Sequence, residues 1–297
     1  MFVIVTSFLV LLNIAHGNIL AQSHPAESND DIKSAPRIVG GVEAPEGYAK
    51  HMVALVVGSY IKMLTCGGSI VTRRHILSAA HCIEPYVIWG ELTPYFYGVI
   101  GSNSWRSTER VVRFSGHVTH PGFSWITIKN DIGVLVTTED IRYTDRIQPV
   151  PLSWNWTPGG RTAFATGWGL TSTGTSDAPE RLQLLYVKTI SPLTCILGVR
   201  NASSGWEANP PTVDPLQELC TFHSMGHGMC NVYEALKKIS NTTVPHSGSA
   251  LVLPQSRVQV GIVSWGFPCA VGAPDVFVRV SAFKNFLIPI IGSHLTD

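Results

Sequence analysis

Short apolar runs rich in β-branched residues recur along most of the chain, and Gly, Pro, Asn and Ser separate one run from the next. Runs of this length and composition, bounded by turn-forming residues, are typical of the strands of a β-sandwich or β-barrel. The pattern therefore predicts an all-β fold. The runs are MVALVV, HILSAA, RVVRFS, DIGVLV, LQLLYVKTI, SALVL, VQVGIVSW and DVFVRV.

The last apolar segment, AFKNFLIPIIGSHL, has a different pattern and predicts a short C-terminal helix. Pro289 weakens this prediction, because proline removes a backbone donor inside a helix. No other segment of the chain suggests a helix as the main element.

The N-terminal region differs from the rest of the chain. Residues 1–17 contain an apolar run that is too short to span a bilayer with ease, and Ala15 and Gly17 offer a small-x-small cleavage site. We interpret them as a secretory signal peptide, the alternative being a buried N-terminal strand. Residues 18–37 are mostly polar, carry two Pro and lack aromatic residues, which predicts a flexible pro-segment. Residues 38–297 then form the main domain, in which no segment predicts a membrane anchor.

Composition narrows the class of protein further. The 297 residues are 45% hydrophobic and 14% charged, which is enough to bury a core and excludes a disordered chain. The net charge of +1 gives no electrostatic case for binding nucleic acid or an anionic membrane. Six cysteines suit an oxidised secreted protein but allow about fifteen pairings. Three Asn-x-Ser/Thr triplets fit a secreted glycoprotein: Asn155, Asn201 and Asn241.

Three polar residues stand in distinctive settings. His81 ends an apolar run beside a cysteine, Asp131 opens another run, and Ser247 precedes a third. Alone, each has an ordinary explanation: a structural histidine or metal ligand, a turn-forming acid, and a loop serine. Together they are the side chains that a serine hydrolase needs: a hydroxyl, an imidazole that takes its proton, and a carboxylate that holds the imidazole.

From about Arg37 to its C-terminus, the chain resembles the trypsin/chymotrypsin-type serine proteases. The motifs occur in the family's order: RIVGG, CGGSIVTRRHILSAAHC, NDIGVL, TGWG, SGSALVL, GIVSWG and PDVFVRVSAF. The resemblance implies two packed six-stranded antiparallel β-barrels, with the active site in the cleft between them. It also implies a secreted serine endopeptidase in which His81 is general base and then acid, Asp131 orients His81, and Ser247 is the nucleophile.

The resemblance assigns further residues. Ser264 would back Asp131, and the backbone of Trp265 and Gly266 would receive an extended substrate. A trypsin-like protease would cleave after Arg37, and the new Ile38 ammonium would pair with an Asp before the nucleophile. Proteins or peptides would be substrates, and protein protease inhibitors would be further partners. The family's disulfide pairs would be Cys66–Cys82, Cys195–Cys220 and Cys230–Cys269.

The specificity pocket has two assigned residues. By resemblance, Gly228 and Asp275 lie at its base, a combination similar to the broad-specificity, collagenase-like digestive enzymes of arthropods. A carboxylate there would attract Lys or Arg, and an open base would still admit large apolar side chains. The alternative is that Asp275 turns away into a salt bridge or is covered by an inserted segment.

The nucleophile loop departs from the family pattern Cys-x-Gly-Asp-Ser-Gly-Gly-Pro. An insertion, roughly NVYEALKKISNTT, follows Cys230. Pro245 stands in place of the oxyanion glycine and has no backbone N–H, a loss that costs on the order of 10²–10³ in rate. His246 stands in place of the Asp that receives the ammonium of Ile38, and loss of one partner of a buried ion pair costs about 3–5 kcal/mol. Glu234, inside the insertion, is an alternative partner.

Three interpretations of this loop are open. In the first, residues 231–246 differ from the expressed protein, for example through a misplaced exon boundary, and the protein is an ordinary protease. In the second, the loop is genuine, and a catalytically impaired homologue acts as a secreted binding or regulatory module. In the third, the loop forms a new oxyanion site. The preserved His81, Asp131 and Ser247 favour the first.

A metal site is the remaining candidate. His223, His227 and Cys230 are spaced like ligands on a helix. The segment is nevertheless rich in Gly, and Cys230 is assigned to a disulfide. We therefore expect no metal and no other cofactor.

Overall fold

The first half of the chain closes into a barrel of six antiparallel strands, in a computed structural model that describes residues 41–169, 178–204, 210–229, 247–267 and 271–292. Its strands are β2 Met52–Val57, β3 Met63–Ile70, β4 His75–Ser78, β7 Phe96–Ile100, β8 Val111–Thr119 and β9 Gly133–Thr137. The order around this barrel is β2-β3-β4-β9-β8-β7, and β2 pairs with β7 to close it. Between β4 and β7 lies a small hairpin, β5 Val87–Ile88 and β6 Glu91–Leu92.

The second half forms another closed barrel. Its six strands are β10 Thr162–Gly167, β11 Gln183–Thr189, β12 Glu218–Phe222, β13 Ala250–Leu253, β14 Val258–Trp265 and β15 Asp275–Arg279. The order around it is β11-β10-β13-β14-β15-β12, and pairing of β11 with β12 closes it. A short strand, β1 Val42–Glu43, pairs with the first two residues of β11, along the edge whose last two residues pair with β12.

Helices contribute little to the described fold. The 3₁₀ helices are Ala80–Cys82, Glu84–Tyr86 and Val280–Phe283, and the α-helices are α1 Pro192–Ser203 and α2 Lys284–Ile291. Ser191 caps α1, because its hydroxyl accepts the Thr194 N–H, and Pro192 is tolerated in the first turn. Within the described residues, none of the helices is both long and apolar enough to cross a membrane.

The continuous apolar run of β2 has a physical reason. Alternate side chains of a strand point to opposite faces. Val53 and Leu55 pack inside the first barrel, whereas Ala54 and Val56 pack in a cluster with Phe164 of the second barrel. Burying an aliphatic side chain of this size contributes roughly 1.5–3 kcal/mol. Both faces of β2 are therefore apolar, since it lies between the core of its own barrel and the other barrel.

The predicted all-β class and the two-barrel architecture are confirmed. Each of the eight apolar runs contains a strand, and the C-terminal helix is present as α2 with Pro289 inside it. The apolar pattern did not predict strands β3, β7, β10 and β12 or helix α1. The described residues all belong to one compact unit that covers Ala35–Asp297.

Candidate active site

The pairing of β4 with β9 brings His81 to Asp131. Ser78 at the end of β4 is opposite Gly133 at the start of β9, so the residues beyond these strand ends meet. The Nδ1 atom of His81 lies 2.8 Å from Oδ2 of Asp131, and the His81 backbone N–H donates to Oδ1 at 2.9 Å. Because the carboxylate only accepts, Nδ1 carries the proton and the lone pair of the neutral ring is on Nε2. This tautomer can take a proton from a hydroxyl.

Asp131 is 1% exposed, and its charge is compensated by hydrogen bonds from both barrels. Besides the two bonds from His81, Oδ2 accepts the hydroxyl of Ser264 at 2.5 Å. Ser264 belongs to β14, in the second barrel. A buried carboxylate needs such donors, because burial without them is costly. Ser264 is thus one of the donors to the buried Asp131 carboxylate.

Ser247 begins a tight turn that leads into β13. Its carbonyl accepts the Gly67 N–H at 2.8 Å, and the Gly248 N–H donates to the Val263 carbonyl at 2.8 Å. Gly248 has a φ of +80°, and a Cβ there would collide with the Ser78 hydroxyl and the Gly67 carbonyl. Only glycine fits this position, and its absent side chain lets the turn approach the first barrel.

His81 and Gly248, the residue after Ser247, border the same disulfide sulfur. His81 Nε2 lies 3.7 Å from Cys82 Sγ, and a Cβ on Gly248 would lie 3.2 Å from that atom. Ser247 is 3% exposed. Across the residues that the structure describes, no hydrogen bond joins Ser247 to His81. The histidine–carboxylate bond is therefore formed, and Ser247 lies on a turn whose next residue, Gly248, borders the same sulfur as His81.

Two of the predicted disulfides are present. Cys66–Cys82 joins β3 to the 3₁₀ helix of His81, and Cys195–Cys220 joins α1 to β12, with Cα–Cα distances of 5.9 and 6.0 Å. Cys66, His81 and Cys82 place ligand-type atoms close together, but both sulfurs are in the disulfide and offer no thiolate. His223 and His227 stack with ring centroids 4.5 Å apart.

Gly228 and Asp275, the two residues assigned to the pocket base, lie next to each other. Oδ2 of Asp275 accepts the Met229 N–H at 3.0 Å, and a Cβ on Gly228 would lie 3.0 Å from the same oxygen. Burial raises the pKa of Asp275 to about 7, and the Met229 hydrogen bond opposes this shift in part. Within the described ranges, no ion pair includes Asp275.

The family model described as Trypsin matches residues 38–287. The chain belongs to the trypsin family. Chymotrypsin-2 of Vespa crabro is 31% identical over 252 residues, which cover 84% of this chain and 98% of the relative. Trypsin delta of Drosophila erecta is 30% identical over 254 residues, covering 85% and 87%. Trypsin II-P29 of Gallus gallus is 29% identical over 276 residues, covering 92% and 95%. The predicted family, arthropod relatives included, is confirmed.

In this trypsin-family chain, Trp265 and Gly266 at the end of β14 are both buried. The Trp265 indole N–H donates to Oε1 of Glu218 at 2.8 Å, and Lys129 Nζ donates to the same oxygen at 2.7 Å. Sequence reasoning missed Lys129 and Glu218. The available signal was their position in the sequence. Lys129 lies two residues before Asp131, and Glu218 lies two residues before Cys220, both of which had been assigned.

The remaining predicted residues of the trypsin-family site lie outside the described residues. They are Arg37, Ile38, Cys230, Glu234, Pro245, His246 and Cys269. The predicted Cys230–Cys269 pair, the cleavage site and the altered oxyanion loop stay predictions.

Proposed function

We propose that the protein is a secreted serine endopeptidase of the trypsin/chymotrypsin type that hydrolyses peptide bonds through His81, Asp131 and Ser247. The observation that carries the proposal is the buried His81–Asp131 pair with its Ser264 hydrogen bond, because this arrangement leaves a lone pair on His81 Nε2. In the reaction, Nε2 takes the Ser247 proton as Oγ attacks the scissile carbonyl, and then gives it to the leaving amine. Asp131 stabilises the imidazolium that forms in between.

We propose that the protein is made as a zymogen. Residues 1–17 act as the signal peptide and residues 18–37 as the pro-segment, and a trypsin-like protease cleaves between Arg37 and Ile38 to release the domain 38–297. Two disulfides support an oxidising compartment, and the family match from residue 38 supports the domain boundary. Protein or peptide substrates, the activating protease and protein protease inhibitors are the proposed partners.

Gly228 and Asp275 form the proposed base of the primary specificity pocket. Gly228 leaves room beside the carboxylate, since a side chain at this position would meet it. The ionised form of Asp275 attracts Lys or Arg, and the protonated form makes the base neutral and suited to large apolar side chains. The proposed cleavage preference therefore includes basic and large apolar residues.

A second candidate function is a secreted binding or regulatory module with an impaired active site. Two observations favour it: Pro245 has no N–H for an oxyanion, and in the described part of the chain Ser247 makes no hydrogen bond to His81. The Ser247 N–H would remain as one oxyanion donor. In this candidate the protease fold is kept as a scaffold that binds proteins without cutting them.

The test compares the chain with a version repaired in its nucleophile loop. The repair deletes Val232–Val244 and introduces Pro245→Gly and His246→Asp, so that Cys-Asn-Gly-Asp-Ser results. After cleavage at Arg37, kcat/KM on Lys, Arg, Leu and Phe amides should rise by at least about 10² from the returned oxyanion donor. N-terminal sequencing should give Ile-Val-Gly-Gly after activation, and Ser247→Ala in the repaired chain should abolish the gain.

Each outcome selects one interpretation. Equal activity of both chains would mean that the unrepaired loop supplies its own oxyanion donor. A folded, correctly cleaved but inert repaired chain would contradict the protease proposal and support the binding module. Transcript sequence across codons 225–255 would show directly whether Gly-Asp precedes Ser247.

A further inference from the structure

A closed ring of polar contacts joins the two barrels behind His81. One side of the ring is the segment Lys129–Asp131, which precedes β9. The other is the pair Ser264–Trp265 at the end of β14. Asp131 accepts from Ser264 at 2.5 Å, and Glu218 accepts from Trp265 at 2.8 Å and from Lys129 at 2.7 Å. Lys129 and Asp131 share one segment and Ser264 and Trp265 are neighbours, so two short stretches of backbone link the Asp131 and Glu218 hydrogen bonds.

Three further hydrogen bonds within the second half of the chain hold Glu218. Its Oε2 accepts the Asp214 N–H at 2.6 Å, its own N–H donates to the Asp214 carbonyl at 2.8 Å, and its carbonyl accepts from Arg279 at 2.9 Å. The Glu218 and Lys129 side chains are 4% and 18% exposed. Burial raises the pKa of Glu218, and the Lys129 charge is the first of the opposing causes.

Stability alone does not account for this ion pair. Removing two charges from water is costly, and apolar residues of similar volume often serve a fold equally well. Buried polar groups with a complete set of partners do hold neighbouring groups in one arrangement. We therefore explain the ring by the neighbouring groups that it orients and not by a contribution to the free energy of folding.

The segment that Lys129 holds has a strained backbone. Ile128 and Asn130 have φ values of 49° and 54°, a region that L-residues avoid, and Ile128 is β-branched. Ile128 packs in a cluster with Trp265 and Val276, and the Asn130 side chain donates to the Gly122 carbonyl at 2.8 Å. Such a backbone persists only where its surroundings determine it from several sides. Lys129 provides one of these restraints, two residues before Asp131.

We propose that Lys129 and Glu218 are positioning residues that set the Asp131 segment and the Trp265 indole in one joint arrangement. Through Asp131 they orient the His81 ring, and through Trp265 they orient the backbone that would receive an extended substrate. The proposal rests on the proposed function for the roles of Asp131 and Trp265. Neither positioning residue contacts the reacting atoms.

The test uses the full-length chain and two proton resonances that need no turnover. One is the downfield Nδ1–H of His81, and the other is the Trp265 indole N–H, assigned with Trp265→Phe. The main variant is the double substitution Lys129→Met and Glu218→Met, which removes both charges and leaves no unpaired buried ion. We expect the His81 resonance to shift and the indole proton to exchange about tenfold faster, as for loss of one hydrogen bond.

Two comparisons separate positioning from general destabilisation. Arg181→Gln removes an exposed ion pair with Glu43 and should leave both resonances unchanged. Lys129→Arg, with Glu218 unchanged, keeps a charged donor for Glu218 and should leave both resonances close to their positions in the unaltered chain. On activated protein, the double variant should lose about 10²-fold in kcat/KM on tetrapeptide amides, and much less on single-residue esters.

Unchanged resonances in a folded double variant would overturn the proposal. So would a change at Trp265 with none at His81, because the two sites would then not be coupled. Absence of hydrolysis in every variant would count against the proposed function alone, since the resonances report positioning without catalysis.

Discussion

Asp275 is the side chain whose charge we expect to decide whether the proposed specificity pocket binds cations. Among the described residues, its carboxylate accepts a hydrogen bond from the Met229 N–H and from no other donor. Burial raises its pKa from 3.8 to about 7. A shift of this size corresponds to roughly 4 kcal/mol against the ionised form. Near neutral pH the group is therefore close to its midpoint, and a bound cation will favour ionisation.

The prediction concerns benzamidinium, an aromatic cation that fits a pocket with an acidic base. Its affinity should rise with pH between 5 and 8 and gain up to about 10²-fold, because about one molecule in a hundred is ionised two units below the pKa. Below pH 7, binding should release up to one proton per ligand, since the cation lowers the pKa of the carboxyl group. Titration calorimetry in two buffers of different ionisation enthalpy measures both quantities without any need for catalysis.

Asp275→Asn provides the matched control, because it keeps the shape and removes the charge. It should abolish both the pH dependence and the proton release, and benzyl alcohol, a neutral ligand, should not bind the unaltered chain more tightly as pH rises. Benzamidinium affinity that is flat with pH and involves no proton release would refute the reasoning. Identical behaviour of Asp275→Asn and the unaltered chain would place the carboxylate away from the ligand.

Three further predictions test other parts of the molecule. Burial, reinforced by the Arg257 charge, lowers the pKa of His51 from 6.5 to about 4, so its contribution to stability is present above pH 6.5 and is lost as pH falls towards 4. Relative to His51→Leu, the unaltered chain should lose roughly 3 kcal/mol of unfolding free energy over this window, measured by urea denaturation; parallel pH profiles would refute this. Gly248→Ala should destabilise the fold by about 1–3 kcal/mol more than Gly90→Ala, which has a similar φ but open space around it; equal melting temperatures would contradict the proposed clash. Non-reducing peptide mapping should find no free thiol, and a free thiol at Cys230 or Cys269 would disprove the third disulfide.

The sequence by itself determined the strand-rich architecture and the candidate triad. Apolar runs rich in β-branched residues predicted eight strands, because the local composition of these segments favours strand formation. The strand β3 was not among them, since Gly67 and Gly68 have weak strand propensity. Tertiary packing overrides this propensity: a Cβ on Gly67 would collide with Ser249 of the second barrel.

The tertiary structure decided where helix α1 forms and how Lys129 and Glu218 come together. The helix buries only Cys195 and Val199 and is anchored by its disulfide to β12, so its sequence carries little periodic signal. Likewise, Lys129 and Glu218 are unremarkable charged residues in the sequence. They form a buried pair only because the second barrel closes. Closure places Glu218, the first residue of β12, next to Trp265 and next to Lys129, which lies in a loop of the first barrel. Local sequence determines which segments become strands, but contacts between distant segments depend on how the two barrels close and pack.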